Sequence, residues 1–197
     1  TGTTWSTNSG WLDATGTTSW TYGLSSWTNG KSYVIKSYAI DNAGNSEIPG
    51  TGNGFNFDTS NPSSTLVSPV NGNSYNSAPA ITGTSSDNFG INSVKVLIKN
   101  VTDTQYWQGA VWGGGTNWLN TTGTNNWNYS GTTPTYSSGK TYLVQSKAID
   151  NATNEEIPSS GNSFIFDNVA PSSTIVVPTN GTTLNSLLTV SGTSSHA

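Results

Sequence analysis

Residues 30–43 return, slightly altered, as residues 139–152. The first copy reads GKSYVIKSYAIDNA and the second GKTYLVQSKAIDNA. From Asp41 to Asp150 the offset is 109 residues, the length of one small β-domain. Side chains alternate faces along an extended strand. One face of the repeat carries Tyr142, Val144, Ser146 and Ala148 in one copy, and Tyr33, Ile35, Ser37 and Ala39 in the other. The opposite face varies, Gln145 against Lys36 and Lys147 against Tyr38. A kept face beside a free one predicts a central strand of a half-buried antiparallel sheet, packed on one side and wet on the other.

The repetition extends through the chain. Trp5, Trp11-Leu12, Trp20 and Tyr22 match Trp112, Trp118-Leu119, Trp127 and Tyr129 at an offset of 107 residues. The two extra residues fall in Gly131-Thr132-Thr133-Pro134-Thr135, a loop by composition. Asp41-Asn42-Ala43-Gly44-Asn45 and Asp150-Asn151-Ala152-Thr153-Asn154 have the Asx and Gly content of a hairpin turn. Phe55 and Phe57, like Phe164 and Phe166, are spaced to point both rings inward. Pro62 to Pro69 and Pro171 to Pro178 open the next domain, with prolines that suit a sheet edge or bulge. Ile91–Val101, where Val94, Val96 and Ile98 alternate with Lys95, Leu97 and Lys99, occurs once. No segment has capped helical periodicity.

Seven or eight short strands per repeat, with turn signals between them, predict an all-β fold of tandem immunoglobulin-like β-sandwiches. The domains then run 1–61 (the C-terminal part of one), 62–170 (complete) and 171–197 (the first strands of a third). In that fold Tyr142 and Tyr33 sit at the tyrosine corner. Val144 and Ile35 take the place of an antibody domain's cysteine.

The run Tyr106-Trp107-Gln108-Gly109, Trp112, Trp118-Leu119, Trp127, Tyr142 and Ala148-Ile149-Asp150-Asn151-Ala152 resembles the tandem immunoglobulin-like repeats of large bacterial surface proteins and adhesins. So does the opening Pro-Ser-Ser-Thr, Pro, Asn-Gly, Gly-Thr-Ser-Ser. The resemblance covers the whole chain and implies an extracellular, cell-surface location. It also implies a structural role as stalk, spacer or filament, without catalysis.

Composition narrows the alternatives. Only 8% of residues are charged, the net charge is −4, and all six basic residues are Lys. Phosphate neutralisation needs a basic stripe, so nucleic acid is not an expected partner. Cysteine is absent, so no disulfide staples the fold. No apolar run approaches the roughly 18 residues of a membrane span, and no membrane insertion is expected in this segment. The chain reads as a mature or internal piece. Sequons at Asn100, Asn120, Asn128, Asn151 and Asn180 arise readily by chance in so Ser/Thr-rich a sequence.

Catalytic groups are scarce. The single histidine, His196, replaces Asp87 of the full repeat, and no Ser lies in a nucleophile-elbow sequence. Calcium is the cofactor to consider, because Asp41, Asn45, Glu47, Asp58, Asp150, Asn154, Glu156 and Asp167 lie at turns or near linkers. Ca²⁺ takes six to eight oxygens from such loops, although Asx side chains at turns also bind their own backbone. Trp107, Trp112, Trp118 and Trp127 could form a platform for glycans, or wedge between sheets; their recurrence favours packing. A Lys–Asn crosslink through Lys95 or Lys99 is a lesser option. The expected partners are neighbouring repeats, or identical subunits joined head to tail by strand complementation. The first and last segments together lack counterparts of residues 89–107.

Overall fold

The computed structural model describes residues 10–24 and 26–196. Trp5, aligned above with Trp112, lies outside the described residues. Those residues form strands and no helix, in two compact units, Thr1–Ser60 and Asn61–Ala197.

The first unit holds β1 (Thr15–Gly16), β2 (Trp20–Thr21), β3 (Lys31–Ile35) and β4 (Asn53–Phe57). The second begins with β5 (Ser63–Ser68), β6 (Ser74–Tyr75), β7 (Thr82–Ser86) and β8 (Ile91–Asn100). It continues through β9 (Gln105–Trp107), β10 (Trp112–Gly113), β11 (Leu119–Asn120) and β12 (Asn126–Asn128). It closes with β13 (Lys140–Asp150), β14 (Asn162–Phe166), β15 (Ser172–Val177) and β16 (Ser191–Ser195).

In the second unit β8 and β13 form the spine. They pair antiparallel from Tyr142 opposite Asn100 to Asp150 opposite Ile91. The sheet order is β10-β9-β8-β13-β14-β6, with β11 beside β9 on the outer edge of β8. A second sheet has the order β12-β7-β5. β-Branched residues suit the pleated surface, and Val94, Val96 and Ile98 of β8 are all buried. They meet Tyr142, Val144 and Ala148 of β13 and Phe164 and Phe166 of β14. The other sheet closes this core with Ile81, Leu66 and Trp127. The hydrophobic contribution is concentrated here, at roughly 1.5–3 kcal/mol per buried large side chain.

Three details differ from the sequence reading. The stretch 62–170 contains ten strands, β5 to β14, because the Trp-rich excursion forms short strands of its own. The face of β13 expected to be wet is only half exposed: Trp118 lies over Lys147, with Nζ 5.2 Å from the ring centroid. The third concerns β3. It pairs with β4 in the register that β13 keeps with β14, Tyr33 opposite Phe55 as Tyr142 is opposite Phe164. Yet β3 is not central: β3 and β4 form a two-stranded sheet. Ile35 is 45% exposed where Val144 is fully buried, and Ser37 and Ala39 lie exposed beyond the strand. No counterpart of β8 covers them among the described residues, so the same face stays open.

Candidate functional site

The repeated Asp turn is built on its first residue. Asp150 accepts the backbone N–H of Asn154 (2.8 Å) on Oδ1 and the Asn154 side-chain amide (2.8 Å) on Oδ2. Asp41 does the same with Asn45, at 2.8 and 2.7 Å, and adds the Ala43 N–H at 2.9 Å. The Asn45 amide, followed by these backbone donors, holds the Asp41 carboxyl below its ordinary range. Asp150 is completely buried, and a buried carboxylate must be hydrogen-bonded. The side chain thus replaces backbone partners that the tight turn cannot supply.

Glu156 braces the two sheets. Its Oε2 accepts the Ala148 N–H (2.9 Å) and the Ser64 hydroxyl (2.6 Å), and its Oε1 accepts the Ser64 N–H (2.8 Å). Ser64 Oγ also lies 2.8 Å from Ser146 Oγ. Edge strand β5 is therefore tied to β13 by charge-assisted bonds. In the first unit Glu47 makes the counterpart of one of them, accepting the Ala39 N–H at 3.0 Å.

The remaining calcium candidates, Asp58 and Asp167, are also hydrogen-bonded. Asp58 accepts the Ser60 N–H at 3.0 Å. Asp167 accepts the Ser138 hydroxyl (2.8 Å) and the Val169 N–H (3.1 Å), with His196 Nε2 3.1 Å from its other oxygen. Those bonds, the Ser138 hydroxyl first, keep the Asp167 carboxyl below its ordinary range. Asp167 follows Phe166, which pairs with Lys140 at the start of β13; Asp150 ends that strand. At about 3.3 Å per residue the two ends are roughly 33 Å apart, so Asp150 and Asp167 cannot share an ion. Asp87 is brought near Asp150, with carboxylate oxygens within 4.8 Å of each other.

The tryptophans divide by burial. Trp107 and Trp127 are 1% and 3% exposed, which leaves neither ring a face for a sugar. Trp107 donates its indole N–H to Thr132 O (3.1 Å) and Trp112 donates to Thr135 O (2.8 Å). Both indoles thereby pin the loop that holds the two extra residues. Trp112 packs against Trp107, Tyr136 and Tyr142. Trp118 is half-buried above Lys147, which pairs with Glu155 at 2.9 Å. In the first unit Trp11 stacks edge-on to Tyr38, the counterpart of Lys147, with centroids 4.3 Å apart.

Several structural residues escaped the sequence reading. Ser64 is a small polar residue without a signature, although it and its counterpart Ser173 share the Pro-Ser-Ser-Thr opening. Tyr75 makes a second corner, accepting the Val70 N–H at 2.9 Å. Lys140 pairs with Asp103 Oδ1 at 2.7 Å, and this ammonium holds the Asp103 carboxyl below its ordinary range.

No protein-family model matches the chain, no curated protein matches it, and no solved structure matches it.

Proposed function

We propose that the chain is a stretch of tandem immunoglobulin-like repeats whose work is mechanical. It holds spacing at a cell surface as part of an extracellular stalk, adhesin or filament, and it carries no catalysis. The observation that carries this reading is the recurrence of two hairpins in unchanged register. β3–β4 repeats β13–β14, and β15–β16 repeats β5–β7 with the same bulge, between Ile175 and Val177 as between Leu66 and Ser68. A corner tyrosine accompanies the first pair in both copies. Tyr142 OH accepts the Ser137 N–H and Tyr33 OH accepts the Thr28 N–H, each at 2.8 Å. Repeats of this kind gain stability from each unit and its immediate neighbours, so a long array keeps its spacing without a continuous core. Electron microscopy of native material tests the reading: regularly beaded filaments or stalks are expected, and isolated compact particles would overturn it.

A second reading is a carbohydrate-binding module. It rests on rings that keep an open face, Trp11 at 50% and Trp20 at 49% exposure, with Trp118 half-buried. Silence on a glycan array, with Trp fluorescence unquenched by sugars, removes it. Calcium at the Asp turns is a proposal of the same standing. A melting temperature that falls on adding chelator supports it, and an unchanged one leaves the carboxylates to their turns.

A further inference from the structure

The face of the β8–β13 sheet turned away from the core carries an unbalanced charge. β8 presents Lys95, Leu97 and Lys99 on that side, and β13 presents Leu143, Gln145 and Lys147. Three of the chain's six lysines thus share one face of a protein whose net charge is −4. Lys95 stands directly opposite Lys147 in the ladder, and like charges so placed weaken a sheet. Glu155 answers Lys147 at 2.9 Å. Lys95 and Lys99 have no carboxylate within ion-pair distance among the described residues, where the other pairs are Lys140–Asp103 and His196–Asp167. Leu97 between them is buried, as suits lysine stems that lie along apolar surface with their heads in water. Two aromatic rings join the lysines. Tyr106 is opposite Lys99 in the β8–β9 pair, with its ring centroid 5.5 Å from Nζ, and the Trp118 ring lies 5.2 Å from Lys147 Nζ. Both rings are half-buried and keep part of their surface in solvent. In the first unit Trp11 meets Tyr38 instead, a ring pair without the charge.

We propose that this face is a binding site for an acidic polysaccharide: Lys95 and Lys99 take uronate carboxylates while Trp118 and Tyr106 pack on the sugar rings. The inference rests on the carbohydrate-binding reading above and names the class of ligand which that reading leaves open. A pyranose ring has an apolar C–H face that suits the flat body of an aromatic side chain. A uronate adds a carboxylate, which accepts charge-assisted hydrogen bonds from ammonium groups. An acidic peptide would use the lysines and leave the rings idle, and a neutral sugar would do the reverse. Only a ligand with both features uses the whole face. An anion lodged here also screens Lys95 from Lys147, and any ligand of the folded chain stabilises it. Elsewhere the protein is acidic, with ten carboxylate side chains against six lysines, so a polyanion is repelled from the rest of the surface and collects at this face.

Titration of the full chain with an oligogalacturonate, its methyl ester and polyglutamate, followed by calorimetry and Trp fluorescence at low salt, tests the proposal. The free oligouronate should bind, change the Trp emission and raise the melting temperature. The methyl ester keeps the sugar ring and loses the charge, and polyglutamate keeps the charge and lacks the ring. Each should bind at least about tenfold more weakly than the uronate. Lys95→Gln and Lys99→Gln should each weaken uronate binding roughly fivefold, as loss of a partly exposed ion pair does, and added salt should weaken it as well. Lys36→Gln, in the first unit, should leave it unchanged. The ligand series is read on the unaltered chain, so a variant that fails to fold cannot mask the result. Polyglutamate binding as tightly as the uronate, or wild-type affinity in a folded Lys95→Gln, would overturn the proposal. Equal binding of ester and uronate would overturn it too while leaving the carbohydrate reading in place, whereas silence of every sugar removes both.

Discussion

Tyr142 shows how a single residue locks a strand. Its ring is fully buried against Trp112, Tyr136 and Phe164, while its hydroxyl accepts the Ser137 N–H five residues upstream. Tyr142→Phe keeps the ring contacts and orphans the amide, so we expect a loss of about 1 kcal/mol, measured by denaturant unfolding. Glu156→Gln retains the shape but removes the charge that three hydrogen bonds share; a loss of about 1.5–3 kcal/mol is expected by the same measurement. Acid should act through Asp103 and Asp167. Both carboxyls lie below their ordinary value of 3.8 in the folded protein. A depressed folded value means stability that is present above the unfolded value and is lost as pH falls through the folded one. Melting temperature should therefore drop below about pH 4, and Asp103→Asn should flatten part of that drop. Tyr136 sets the opposite limit. Burial raises its phenol above the ordinary 10.0, so its stabilising contribution is complete below pH 10 and is lost at higher pH.

The same hairpin behaves differently according to its neighbours. β13 lies between β8 and β14, and its face of Tyr142, Val144, Ser146 and Ala148 is sealed. β3 has β4 alone, and the strand ends at Ile35, short of Ser37 and Ala39. Ile98→Ala in β8 should cost about 2–5 kcal/mol, because it opens a cavity inside a packed core. Ile35→Ala, at a position 45% exposed, should cost less than about 1 kcal/mol. Unfolding curves of the two variants, followed by near-ultraviolet circular dichroism, distinguish these outcomes. Strand β8 was legible because Val94, Val96 and Ile98 alternate. The burial of Leu97 on its other face was not, since a period of two says which residues share a face and nothing about what covers it.

Across the whole molecule, protection should follow completeness of the core. Amides of the β8–β13 ladder should exchange slowest with deuterium, and those of β3–β4 and β15–β16 much faster. Exchange tracks local opening, and opening is easiest where few apolar groups are buried. Equal protection throughout would overturn this expectation.

The sequence alone determined the all-strand character, the faces of the principal strands and the inward Phe164, Phe166 and Tyr142 of the core, because period-two alternation and turn chemistry are local properties. It also singled out Asp41 and Asp150 as turn residues. Only the tertiary structure decided that Trp107 and Trp127 are enclosed, that Glu156 joins two sheets, and that Gly83 lies against the Trp127 ring, where a side chain would collide. Those facts depend on which segments meet across long separations along the chain. A residue carries its hydrogen-bonding capacity and its shape wherever it lies in sequence, but its partner is fixed only when the sheets pack.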